Sequence, residues 1–209
     1  MHPWHHYVAI GDSFTEGIGD SVDGFAKLGA MDWMAAALRQ SNPDLRYTNL
    51  AKRGLLIAEI REQQLETALG LKPDLVSVVA GANDILKGKF EATRWEQELR
   101  TLYESLTQTG AAVSTGNVPH MPYVRTLKEP RQMRIKSDIA QANEIIQRLV
   151  AQYRVILVDA WRLSLEYTME DWSQDGIHLN SRGHFKFAKE ILKAIEQQIH
   201  VKVGEIKAL

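Results

Sequence analysis

Leu75-Val76-Ser77-Val78-Val79-Ala80 is the stretch on which the fold turns. Its residues are apolar almost without a break. A strand with one wet face would alternate, so this one must be covered on both faces. On its N-terminal side, Ile57, Ile60, Leu65, Ala68 and Leu69 fall on one side of a helix that Gly70 and Pro73 close. On its C-terminal side, Ala92, Trp95, Leu99, Leu102, Tyr103 and Leu106 repeat at helical spacing. The same alternation extends outward. Strands are predicted at residues 7–10, 45–50, 111–118 and 155–158. Further apolar helix stripes are Ala30-Trp33-Met34-Ala37-Leu38, then Ile135-Ile139-Ala142-Ile145-Ile146-Leu149, then Ala188-Ile191-Leu192-Ile195-Ile199. Five strands alternating with helices bury their faces only as a parallel sheet with helices on both sides, joined by right-handed crossovers. The expected class is α/β. The expected architecture is a three-layer α/β/α sandwich in one domain over residues 1–209, with a flavodoxin-like strand order 2-1-3-4-5. Ligands of such sheets sit at the carboxyl ends of the strands.

The bulk composition excludes several classes of function. The 209 residues carry 25 Lys and Arg against 26 Asp and Glu, a net charge of -1, which gives no reason to expect nucleic acid as a partner. Cysteine is absent, so disulfides, thiolate metal sites and cysteine nucleophiles are excluded. No apolar run approaches the roughly 20 residues of a membrane-spanning helix. The segment Met1-His2-Pro3-Trp4-His5-His6-Tyr7 lacks the features of a secretory signal, so the expected location is cytoplasmic. His2, His5 and His6 are expected to belong to a flexible terminus rather than a metal site.

Four short motifs follow strands one, two and three or precede the last helix. The first is Gly11-Asp12-Ser13-Phe14-Thr15-Glu16-Gly17, in which Ser13 is either a nucleophile on a sharp turn or part of a Ser13-x-x-Glu16 capping box. The second, Arg53-Gly54, is a turn or a place where a backbone N–H approaches a ligand. The third is Gly81-Ala82-Asn83-Asp84, where Asn83 is an oxyanion donor or an N-cap. In Asp175-Gly176-Ile177-His178 a carboxylate sits three residues before an imidazole, close enough in a turn to fix its tautomer. Singly, the first three read more simply as caps and turns. Together they place a serine, a histidine, a carboxylate and two oxyanion donors on one rim of the sheet, the parts of an acyl-transfer site.

From about Val8 to Ala194 the sequence resembles the SGNH, or GDSL, hydrolase superfamily, with all four blocks in family order. The resemblance implies the same sandwich and an esterase, lipase or related acylhydrolase. Ser13 would be its nucleophile, His178 the base and Asp175 the carboxylate. The Ser13 and Gly54 N–H groups and the Asn83 amide would form the oxyanion hole. Ala82 stands where many members carry glycine, which narrows the space beside the oxyanion. No metal or organic cofactor is implied, and the partner is a small-molecule ester. Neither nucleic acid nor integral membrane association is expected, and oligomeric state is not readable.

Other motifs are missing. There is no G-x-S-x-G, no third glycine after Gly17-Ile18-Gly19, no phosphate loop at residues 81–89 and no H-E-x-x-H. His184 reads as part of a helix start. Arg125, Lys128, Arg131, Arg134 and Lys136 read as a solvated helix face. Residues 14–27, 85–90 and 120–130 are expected to shape the substrate site, the last as a loop because it holds Pro122 and Pro130. Phe14, Ile85, Tyr123 and Trp172 are candidates for an apolar pocket. The alternative function is a non-catalytic small-molecule-binding module on the same fold. A nucleotide- or flavin-binding protein is disfavoured by the missing phosphate motifs.

Overall fold

The computed structural model describes residues 3–200 and 202–206. Five strands, β1 (His6–Gly11), β2 (Arg46–Asn49), β3 (Leu75–Val79), β4 (Ala112–Gly116) and β5 (Ile156–Val158), form one parallel sheet in the order β2-β1-β3-β4-β5. The register runs through Val8, which faces Thr48 on one side and Val76 on the other. All six residues of β1 are buried and β3 is buried through Val78, as continuous apolar runs require. β2, at the edge, is exposed or half-buried throughout.

The helices are α1 (Ser13–Glu16), α2 (Ala30–Ser41), α3 (Ile57–Ile60), α4 (Glu66–Gly70), α5 (Ala82–Leu86), α6 (Ala92–Thr107), α7 (Glu129–Tyr153), α8 (Ala160–Glu166) and α9 (Ser181–Ile199). α2 packs on α9, and α6 packs on α7 and α3, giving the two outer layers. Each buries the apolar stripe read from its sequence. Several polar side chains in the core pair with one another. Tyr7 donates its hydroxyl to Ser77 at 2.9 Å, and Ser77 meets Ser114 at 2.9 Å. No helix among the described residues is long and apolar enough to cross a membrane.

The structure corrects three local expectations. Residues 120–130 are not a loop throughout: Pro122–Thr126 is a 3-10 turn and α7 begins at Glu129. Pro130 lies in the first turn of α7, where a missing N–H breaks no hydrogen bond. The histidine-rich start is not a free terminus either. Trp4 is buried, β1 begins at His6, and the N–H groups of His5 and His6 donate to the Asp74 carboxylate. The His6 ring contacts the Leu71 carbonyl and the Thr48 hydroxyl. His2, included in that expectation, lies outside the described residues. Finally, the 57–70 helix has a π turn at Arg61–Leu65 between α3 and α4.

Candidate active site

The chain leaves β1 through Gly11, which is wedged against its neighbours. A Cβ there would lie 2.3 Å from the Val79 carbonyl oxygen and 2.4 Å from the Thr15 hydroxyl, so no larger residue fits. Asp12 then caps α1, its carboxylate accepting from the Phe14 N–H at 3.1 Å. Ser13 is therefore the first helical residue and not the cap. The Ser13–Glu16 capping box does not form, because Glu16 instead accepts from the Arg53 N–H at 2.6 Å. The π turn holds Gln64 beneath this corner. Its buried amide accepts from the Gly11 N–H at 2.7 Å and donates to the Gly11 carbonyl at 2.9 Å.

Asp175 and His178 lie on the loop before α9, and the structure brings both to Ser13. His178 Nε2 is 2.8 Å from Ser13 Oγ, and His178 Nδ1 is 2.6 Å from Asp175 Oδ2. An ionised carboxylate only accepts, so the ring proton belongs on Nδ1 and the Nε2 lone pair faces the serine hydroxyl. Burial tends to raise the Asp175 carboxyl. Hydrogen bonds from the His178 N–H, the His178 ring and the Ile177 N–H outweigh it and hold the group below its ordinary range. The loop is itself pinned. The Ser173 N–H donates to the His178 carbonyl, and Asn180 caps α9 while donating to the Glu170 and Trp172 carbonyls.

Gly54 and Asn83 approach the same corner. Gly54 has φ +79°, a turn conformation that favours glycine. Among the described residues, neither its N–H nor that of Ser13 meets an acceptor. Asn83 donates to Asp12 Oδ2 at 3.2 Å and to the Leu55 carbonyl at 3.0 Å. It thus bridges the chain neighbours of Ser13 and Gly54. It is the second residue of α5, whose cap is Gly81, so Asn83 is not an N-cap. Asp12 is buried, and that burial pushes its carboxyl up to about 6.

An apolar pocket opens beside Ser13, Asn83 and His178. Of the candidates for its walls, Phe14 and Trp172 line it. Ile85 is fully buried core, and Tyr123 lines a neighbouring groove together with Asp175. His184 lies inside α9, its ring contacting the Ala30 N–H and the Ile18 carbonyl. The basic residues from Arg125 to Lys136 are exposed along the 3-10 turn and the start of α7.

A family model of GDSL-like lipases and acylhydrolases matches residues 9–185. The chain belongs to that family. Solved structures share the GDSL fold at low identity. The lipase/acylhydrolase from Enterococcus faecalis is 20% identical, with 97% of this chain and 100% of that one covered at a TM-score of 0.73. Axe2, an acetylxylan esterase from Geobacillus stearothermophilus, is 19% identical, with 91% and 94% covered at 0.70. LAE5, an alpha/beta hydrolase enzyme from the metagenome of Lake Arreo, Spain, is 22% identical, with 91% and 94% covered at 0.71. At these identities the likeness is one of fold. A search of curated proteins gave no match. Membership of the GDSL family supports an ester hydrolase. Two residues held against this candidate site were not foreseen from the sequence. Asp12 lies inside the quoted block but was passed over for its neighbour, and Gln64 lies in a helix whose π turn leaves no trace in apolar spacing.

Proposed function

We propose that the protein is a serine ester hydrolase that cleaves a small carboxylic ester through an acyl-enzyme on Ser13. The observation that carries this reading is the unbroken chain of contacts from Ser13 Oγ to His178 at 2.8 Å and from His178 to Asp175 at 2.6 Å. A serine hydroxyl is a weak nucleophile and needs a base within hydrogen-bond reach. His178 takes the Ser13 proton as Oγ attacks the ester carbonyl, and Asp175 stabilises the imidazolium that forms. The developing oxyanion is met by the N–H groups of Ser13 and Gly54 and by the Asn83 amide. His178 then protonates the departing alcohol. Water, activated by the same ring, attacks the acyl-enzyme and releases the acid.

The test is Ser13→Ala, with an alkylphosphonate ester as a second probe. Wild type should turn over p-nitrophenyl esters and take up one phosphonate per chain. The variant should do neither while keeping its circular dichroism and melting temperature. Persisting turnover in Ser13→Ala removes Ser13 as nucleophile. A folded wild type that neither reacts nor takes the label is a binding module.

A further inference from the structure

The pocket beside Ser13 and His178 continues inward past Phe14 and Trp172, both of which line it. It reaches Gly116 at the end of β4, Ala160 at the start of α8 and Phe187 in α9. Those three residues are buried, while His178, Asn83 and Ile177 at the other end are half-buried. The cavity volume is about 70 Å³. One water needs about 10–15 Å³ on that scale, so the space takes about five water-sized groups. Its walls are apolar apart from the reacting groups and a few side chains such as Asn117 and Ser164.

We propose that this pocket holds the acyl chain of the substrate, and that Gly116 sets the length of chain it takes, favouring straight acyl groups of about four to eight carbons over acetyl. The proposal rests on the reading of Ser13 as nucleophile. The acyl group stays bonded to Ser13 Oγ between the two half-reactions, whereas the alcohol must leave and water must enter. A buried apolar recess suits the part that stays, and the open side suits the parts that exchange. Gly116 matters because of what its side chain would meet. A Cβ there would lie 3.7 Å from Phe187 Cζ and 3.8 Å from Ala160 Cβ, which is ordinary contact. Alanine therefore fits the fold without strain and takes up space at the inner end of the recess. Phe187 is the opposing wall, held edge-on by Phe14 at a ring-centroid distance of 4.9 Å.

The test measures kcat/KM for p-nitrophenyl esters from acetate to dodecanoate in wild type, Gly116→Ala and Phe187→Leu. Wild type should peak between butanoate and octanoate. Gly116→Ala should lower kcat/KM for octanoate relative to acetate about tenfold or more, since one methylene-sized mismatch in an apolar pocket is worth at least that. Phe187→Leu should move the peak to longer chains. Opposite shifts from the two variants are not what general loosening of the fold produces. The proposal is overturned if wild type prefers acetate. It is also overturned if the Gly116→Ala profile superimposes on wild type, or if the variants respond to alcohol length in a series of butanoate esters. Ser13→Ala, run alongside, separates the two failures. Turnover surviving in that control defeats the nucleophile reading, whereas Ser13-dependent turnover with an unshifted chain profile defeats only the acyl pocket.

Discussion

Asn83 has two amide hydrogens, and in the resting site one goes to Asp12 and the other to the Leu55 carbonyl. On the proposed mechanism a third acceptor, the oxyanion, must therefore displace or share one of them. The 3.2 Å contact to Asp12 is the longer and the easier to give up. Asn83→Ala is expected to lower kcat by about 10²–10³ with little change in KM, because the lost interaction is made only in the transition state. A change confined to KM would make Asn83 a substrate-binding residue instead. The variant also strips a donor from the buried Asp12 carboxylate, so a modest fall in melting temperature should accompany the loss of kcat. That Ser13, His178, Asp175 and Asn83 belong to one candidate site is readable from sequence because each follows a strand or precedes a helix in a short motif. Asp12 was not, since a carboxylate beside the proposed nucleophile reads locally as a cap and meets Asn83 only when β3 is laid next to β1.

At the level of elements, the π turn at Arg61–Leu65 positions Gln64 beneath the corner that carries Ser13. Extra residues in a helical turn shift the side chains that follow, and such turns often occur at functional sites. The Gly11 carbonyl has a second donor, the Lys52 N–H at 3.2 Å, but the buried Gly11 N–H donates to Gln64 at 2.7 Å. Gln64→Leu should therefore cost about 1–3 kcal/mol, the penalty of one buried unsatisfied donor. Urea unfolding measures this, and kcat should fall with it as the Ser13 turn loosens. Unchanged stability would show that the clamp contributes nothing. The helices flanking β3 were legible because their apolar stripes face the sheet. The 120–130 segment was misread because proline was taken as a helix breaker, although it is tolerated in a first turn. α8 escaped notice because its seven residues, Ala160–Glu166, bury only Ala160, Leu163 and Ser164, too few to set a period.

Across the whole molecule, a parallel sheet delivers every strand's carboxyl end to one rim, which is how Ser13 and His178 meet across 165 positions of chain. Continuous burial of β1 and β3 places them inside the sheet, but apolar spacing does not fix the strand order, and the expected flavodoxin-like order is the one the structure has, β2-β1-β3-β4-β5. The burial that makes the rim a dry site also traps titratable groups, with consequences for folding. Burial raises the Asp12 and Asp84 carboxyls to about 6 each from an unfolded value of 3.8. It also lowers the His184 imidazole to about 4 from 6.5. The two kinds act in opposite directions. A raised carboxyl binds its proton more tightly in the folded state, so its contribution is full below pH 3.8 and is lost as pH climbs through 6. A depressed histidine is protonated first in the unfolded chain, so its contribution is full above pH 6.5 and is lost as pH falls toward 4. Over pH 4 to 6.5 the terms partly cancel, and removing one exposes the other. Asp12→Asn keeps the capping side chain, because asparagine caps as well as aspartate, and removes a buried charge. Its stability relative to wild type should rise between pH 4 and pH 7 by about 3 kcal/mol, the linkage equivalent of a shift of about two pH units. Urea titrations at pH 4, 5, 6 and 7 read this as a widening gap between the two curves. Parallel curves would mean that Asp12 ionises at its ordinary pKa despite its burial.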